Sequence, residues 1–169
     1  MKNYVILFLF FITAEATLFA QAKTYDIMSY NPPLGWSKED KLGWRMYSYV
    51  DRTNQTYGMI NIYVAAPSSG NAQKDFTLTW NTLVKQSFST AITPVPSIIG
   101  PKDGYEGYKG TTLGKASGKP ITVTLINYTG GGKTLSIVLS YSDTKFETII
   151  NKFLDSIKLK SPGGEGKKE

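Results

Sequence analysis

The chain has 169 residues, 19 of them Lys or Arg and 13 Asp or Glu, for a formal charge of +6; 41% are hydrophobic and 13% aromatic. It contains no cysteine and no histidine. That excludes Ser-His-Asp and Cys-His nucleophile systems, ordinary zinc and copper sites and any disulfide framework, so stability must come from a packed core.

The first 22 residues read as a secretory signal peptide. Lys2 leads into the apolar run Tyr4 to Ile12, and Leu18-Phe19 runs into Ala20-Gln21-Ala22, an A-x-A cleavage pattern. Cleavage after Ala22 is expected, with Ala14-Glu15-Ala16 as a second pattern. The apolar run falls short of the roughly 20 residues a spanning helix needs, and no later stretch reaches that length. The expected location is secreted or periplasmic, with no membrane span after cleavage. The basic excess is spread along the chain, which fits a solvated surface, with binding to an anionic envelope surface or an acidic partner as the functional alternative, and gives nucleic-acid binding no stripe or patch.

Residues 23–160 read as one domain. Thr24 to Tyr30 reads as a first strand, followed by a turn at Asn31-Pro32-Pro33-Leu34-Gly35-Trp36. Trp44 to Val50 alternates, with Arg45, Tyr47 and Tyr49 on one face and Trp44, Met46, Ser48 and Val50 on the other. Asp51 to Thr56 is a polar connection. Tyr57 to Ala66 returns as a strand, with Ile60, Ile62 and Val64 on one face and Tyr57, Met59, Asn61 and Tyr63 opposite.

Pro67 to Lys74 reads as a loop, and Asp75 as the cap of a helix. Phe76, Trp80, Leu83, Val84 and Phe88 then share one helical face. Ala91 to Asp103, with three prolines, reads as an irregular crossing segment. Strands are expected over Tyr105 to Gly114, Lys119 to Tyr128 and Lys133 to Tyr141, the last two joined at Gly130-Gly131-Gly132. Thr144 and Glu147 fit a capping box, and Phe146, Ile149, Ile150, Phe153, Leu154 and Ile157 make a helical stripe. Residues 161–169 read as a disordered tail. The fold class expected is α+β, an antiparallel sheet with two packed helices.

Tyr30 to Trp36, Tyr47-Ser-Tyr-Val-Asp51, the apolar strand Gly58 to Ala65 and the closing segment Phe146 to Leu159 resemble landmarks of the PsbP-like fold family. The wording of Tyr25 to Trp36 is also similar to uncharacterised secreted proteins of Bacteroidetes-type bacteria. The resemblance implies a PsbP-like α/β/α sandwich and a non-catalytic accessory or binding role. The metal-adjacent histidines of the plant photosystem members have no counterpart here.

Gly131-Gly132-Lys133-Thr134 looks like the end of a phosphate loop, but Asn127 stands where the first glycine belongs and a strand follows instead of a helix. It reads as a hairpin turn. Glu39/Asp40 and Asp103/Glu106 are the close carboxylate pairs; the first reads as solvated, the second as a turn able at most to hold Ca²⁺ weakly. Asn54-Gln-Thr56 and Asn127-Tyr-Thr129 match glycosylation sequons beside predicted turns.

The candidate binding residues are aromatic. If the strands holding Tyr47 and Tyr63 pair as a hairpin, one sheet face is expected to carry Tyr47, Tyr49, Tyr57 and Tyr63 with Arg45 and Asn61, next to the Trp36 loop. Such a face suits a protein partner or a flat ligand. The competing reading makes these tyrosines outer core beneath a helix. No catalytic residue, metal or cofactor is assigned. The expected partner is a protein or small ligand in the cell envelope. Small apolar-ligand carriage and, further off, a carboxylate-based hydrolase are the competing functions.

Overall fold

The computed structural model describes residues 21–88 and 92–162. The leader reading lies outside the described residues except for its last two positions, and so does the tail from residue 163 onward.

The protein is α+β. Its main sheet is antiparallel throughout, in the order β3 (Ser37–Lys41), β4 (Trp44–Asp51), β5 (Thr56–Tyr63), β10 (Lys133–Tyr141), β9 (Lys119–Gly130), β8 (Tyr105–Ala116), β7 (Ser97–Lys102). Short β6 (Ala66–Pro67) pairs β10 beyond the end of β5. A second small sheet joins β1 (Lys23–Tyr25), β2 (Met28–Tyr30) and β11 (Lys158–Leu159).

The two central strands are buried on both faces, so they read as nearly continuous apolar runs. In β9, Ile121, Val123 and Leu125 point to one core and Ile126 and Tyr128 to the other. In β10, Leu135, Ile137 and Leu139 oppose Val138 in the same way. On one face lies α1 (Ala72–Thr79), continued by a π-helical turn at Trp80–Val84; Phe76, Trp80 and Val84 fill that core. On the other lies α2 (Glu147–Asp155), entered through a 3-10 turn at Thr144–Phe146; Phe146, Ile150, Phe153 and Ile157 meet Ile60, Ile62 and the β10 leucines. The result is two helical layers around one sheet.

Several local expectations are corrected. The first strand is two, because Asp26 at φ +52° turns the chain into a hairpin. Asn71, not Asp75, caps α1: its Oδ1 accepts from the Lys74 N–H at 2.8 Å. The capping box at Thr144 does not form. Asp143 accepts from the Lys145 N–H at 2.9 Å, and Glu147 accepts instead from the Tyr141 hydroxyl at 2.9 Å. The crossing segment ends in an edge strand, β7. Asn127 lies buried in mid-strand, not beside a turn.

The glycine-rich stretch is a hairpin turn. Gly131 and Gly132 both have positive φ (+56° and +72°) between the paired Gly130 and Lys133, the two-residue turn that matches strand twist. The sheet edges are blunted by different means. β3 is wholly exposed and reads Ser-Lys-Glu-Asp-Lys; β7 carries a bulge between Ile98 and Gly100 and a proline at position 101.

Candidate functional site

The β4–β5 register decides what becomes of the tyrosine face. Tyr47 pairs with Ile60, Tyr49 with Gly58 and Val50 with Tyr57. Directly opposed residues share a face, so the two tyrosine groups lie on opposite sides of the sheet. The expected single face is therefore overturned. The cause is the connection: residues 52–55 make a four-residue loop, which pairs odd positions with even ones. Tyr47, Tyr49 and Arg45 face α2, while Tyr57, Asn61 and Tyr63 face α1.

On the α2 side, Tyr47 is only 3% exposed, and its hydroxyl lies 3.1 Å from that of buried Tyr30. Burial, and then the Tyr30 contact, push its hydroxyl pKa well up. Arg45 is engaged within the protein. Its Nε donates to Asp40 Oδ1 at 2.5 Å, its Nη2 to Asp40 Oδ2 at 3.2 Å and its Nη1 to the Tyr30 hydroxyl at 3.1 Å. The guanidinium also lies 4.5 Å from the centre of the Tyr25 ring. The Arg45 hydrogen bond, followed by that from Lys38, holds the Asp40 carboxyl down at about 2. This network ties the β1–β2 hairpin to the sheet edge and leaves Arg45 no free fork for a ligand.

Trp36 and Tyr49 are placed differently. Trp36 meets Phe146 edge-on, with ring centres 6.0 Å apart, and Tyr49 tilts against the same ring at 6.1 Å. Together with Leu34, Ile149, Asp51 and Lys145 they line an open groove of about 370 Å³. Leu34 is 77% exposed and Tyr49 43%. Lys145 Nζ and Asp51 Oδ2 pair at 2.6 Å on its rim. Leu34 was legible in the sequence as an apolar residue between Pro33 and Gly35 in a turn; Phe146 and Ile149 read only as helix stripe.

Gly58 shapes the floor. A Cβ there would lie 2.7 Å from Trp36 Cη2 and 3.0 Å from the Phe146 ring. Gly58→Ala is expected to displace Trp36 and cost about 1–3 kcal/mol, the range for overpacking. The check is a lower urea midpoint accompanied by red-shifted tryptophan emission.

On the α1 side, Tyr63 stacks against Trp44 at 6.1 Å with 23° between the rings, and burial pushes its hydroxyl pKa up. Asn61 is buried, its Oδ1 without a partner among the described residues. Tyr57 is half-buried and packs at the edge of the α1-side core. Elsewhere, Asp103 Oδ2 accepts from the Leu159 N–H at 2.8 Å, so this carboxylate clamps the chain's closing strand. Among the described residues no group of three or more acidic side chains is placed to hold a metal ion. Among those residues, too, no helix is long and apolar enough to cross a membrane.

No family model matches the chain, and no curated protein matches it. A crystal structure of a protein from Bacteroides thetaiotaomicron VPI-5482 is similar in fold, with a TM-score of 0.54 at 14% identity over 90% of this chain. The match spans about half of that protein, 52% of its length. It supports the α+β fold and a Bacteroidetes-type neighbour.

Proposed function

We propose that this chain is a non-catalytic secreted or periplasmic accessory protein of the PsbP-like kind, binding a protein partner through the groove between the Trp36 loop and α2. The observation that carries the reading is the placement of Leu34 and Tyr49. Both are large, apolar or aromatic, and exposed at a concavity floored by Trp36 and Phe146. Exposed aromatics over a rigid apolar floor are what protein-interface anchor sites use, because ring area is buried at little entropic cost. The opening Pro-Pro-Leu-Gly-Trp turn, the helix-flanked antiparallel sheet and the closing helix support the PsbP-like assignment. The signal-like residues 1–22 support the location.

The test is a pull-down from the native host with the wild-type chain and with Leu34→Ala/Tyr49→Ala. Both side chains are exposed, so the fold is expected to survive. A stoichiometric protein partner should co-elute with the wild type, and the double variant should weaken its binding by about thirtyfold or more, or about 2 kcal/mol. A wild-type chain recovered alone, or a partner indifferent to both substitutions, rejects the reading.

A further inference from the structure

On the opposite side of the sheet from the Trp36 groove lies a second, separate concavity. It measures about 330 Å³ and runs between the end of α1 and strands β5, β6 and β10. That is the lower range of small-molecule sites.

Two independent features mark this side of the sheet. The helix above it departs from α geometry: the Lys85 N–H bonds to the Trp80 carbonyl at 2.9 Å, five residues back. Such π turns add one residue to a helical turn and are frequent at functional sites. Here the turn carries Thr82 and Leu83, both lining the groove beside Leu78 and Thr79. Beneath this helix, next to the groove rather than in its lining, lie buried polar atoms with no partner among the described residues: Asn61 Oδ1, Asn127 Oδ1 and, from the helix itself, Trp80 Nε1. An unpaired buried polar group costs about 1–3 kcal/mol, so apolar residues would serve the core better if packing were the sole demand. Asn127 adjoins the groove through two lining residues. Its Nδ2 donates to Thr79 Oγ1 at 3.1 Å, and its cross-strand partner is Ser136.

The lining narrows the ligand chemistry. Among the described residues it contains no Lys or Arg to hold an anion. Its one carboxylate, Asp75, is already engaged: Oδ2 accepts from Ser68 Oγ at 2.6 Å and from Thr134 Oγ1 at 2.9 Å, and Oδ1 accepts from the Ser69 N–H at 2.9 Å. What remains is an aromatic wall, Tyr63 backed by Trp44, with leucines on the helix side and three hydroxyls: that of Ser136, that of Thr79, which accepts from Asn127 and can still donate, and that of Thr82, which donates to the Leu78 carbonyl at 2.9 Å and can still accept. An apolar surface edged by neutral hydroxyls matches the C–H face and hydroxyl rim of a pyranose ring. We propose that the groove between the π turn of the first helix and strands β5–β10 binds a neutral sugar, either free or as a glycolipid headgroup.

The test is an amide NMR titration of the purified protein. The probes are the methyl glycosides of glucose, galactose, mannose and N-acetylglucosamine, with octyl β-D-glucoside and octanoate alongside. At least one methyl glycoside is expected to shift Thr79, Thr82 and Ser136, which indicates a free-sugar site. Shifts there by octyl glucoside alone, with octanoate inert, indicate a glycolipid headgroup. Thr82→Phe, at an exposed helix position, should weaken either response at least about tenfold by filling the groove. Leu113→Phe, exposed on a distant strand, should leave it unchanged. The proposal is overturned if no glycoside shifts these amides, if octanoate competes equally, if the shifts centre on Leu34 and Tyr49, or if Thr82→Phe has no effect.

Discussion

Tyr47→Ala is expected to unfold the protein more readily, lowering stability by about 3–5 kcal/mol, the cost of deleting a buried aromatic ring. The ring is nearly inaccessible and meets Tyr30 edge-on with centres 6.0 Å apart. Tyr30 in turn packs on Phe153 of α2, so the loss propagates to the contact between sheet and helix. Tyr47→Phe keeps the ring and removes one hydroxyl contact, for about 1 kcal/mol. The Tyr30 hydroxyl still receives Arg45 Nη1, which limits that cost. Urea unfolding monitored by tryptophan emission measures both. A Tyr47→Ala protein with wild-type stability and lost partner binding would restore Tyr47 to the binding surface.

Asp75→Ala is the second large effect, expected at about 3 kcal/mol because three hydrogen bonds to a charged acceptor disappear together. Thr134, whose hydroxyl also lies 3.0 Å from that of Thr129, would be left with a single side-chain partner. The Ser68–Ser69 loop would lose its tie to α1. The same carboxylate makes stability pH-dependent. Burial acts to raise its pKa, but the hydrogen bonds from Ser68, Ser69 and Thr134 together outweigh it, and the net shift is downward. A carboxyl that gives up its proton more easily when folded stabilises the protein fully above its unfolded pKa of about 3.9, and loses that contribution as pH falls through the lower folded value. Asp40, held at about 2, acts in the same direction from an exposed site. Stability is therefore expected to fall below about pH 4. Asp75→Asn should be less stable than wild type at neutral pH and lose less on acidification. The check is the urea midpoint at each pH, with an unchanged m-value showing that compactness is not what moved. Parallel pH curves for both proteins would remove Asp75 from the acid response.

Much of the fold was legible because burial periodicity is a local property. The stripe from Phe146 to Ile157 packs on the sheet, though the helix itself spans Glu147–Asp155 and Ile157 follows it, just as Phe88 follows the end of the first helix; Ile60, Ile62, Leu135, Ile137 and Leu139 became one core face. Helix starts were less legible. Asn71 and Asp75 are both chemically able to cap, and the choice fell to Asn71 because the Asp75 carboxylate is held by Ser68, Ser69 and Thr134. The two helices over opposite faces of one sheet follow from apolar residues on both sides of β9 and β10, which alternation alone does not distinguish from a buried helix segment.

The amino-acid sequence alone determined the exclusions, the strand alternation, both amphipathic helix faces and the presence of a glycine turn after β9, since each depends on residue chemistry and spacing within one segment. Tertiary structure decided which aromatic residues can touch a partner. A four-residue loop set the pairing parity of β4 and β5, and that parity sent Tyr47 and Tyr63 to opposite sides of the sheet. It buried Tyr47 against Tyr30, left Tyr49 at the mouth of the Trp36 groove and put Tyr63 on the wall of the other. Exposure is a property of what packs on top, and residues distant in sequence supply it: Phe146 for one groove, Leu78 and Leu83 for the other.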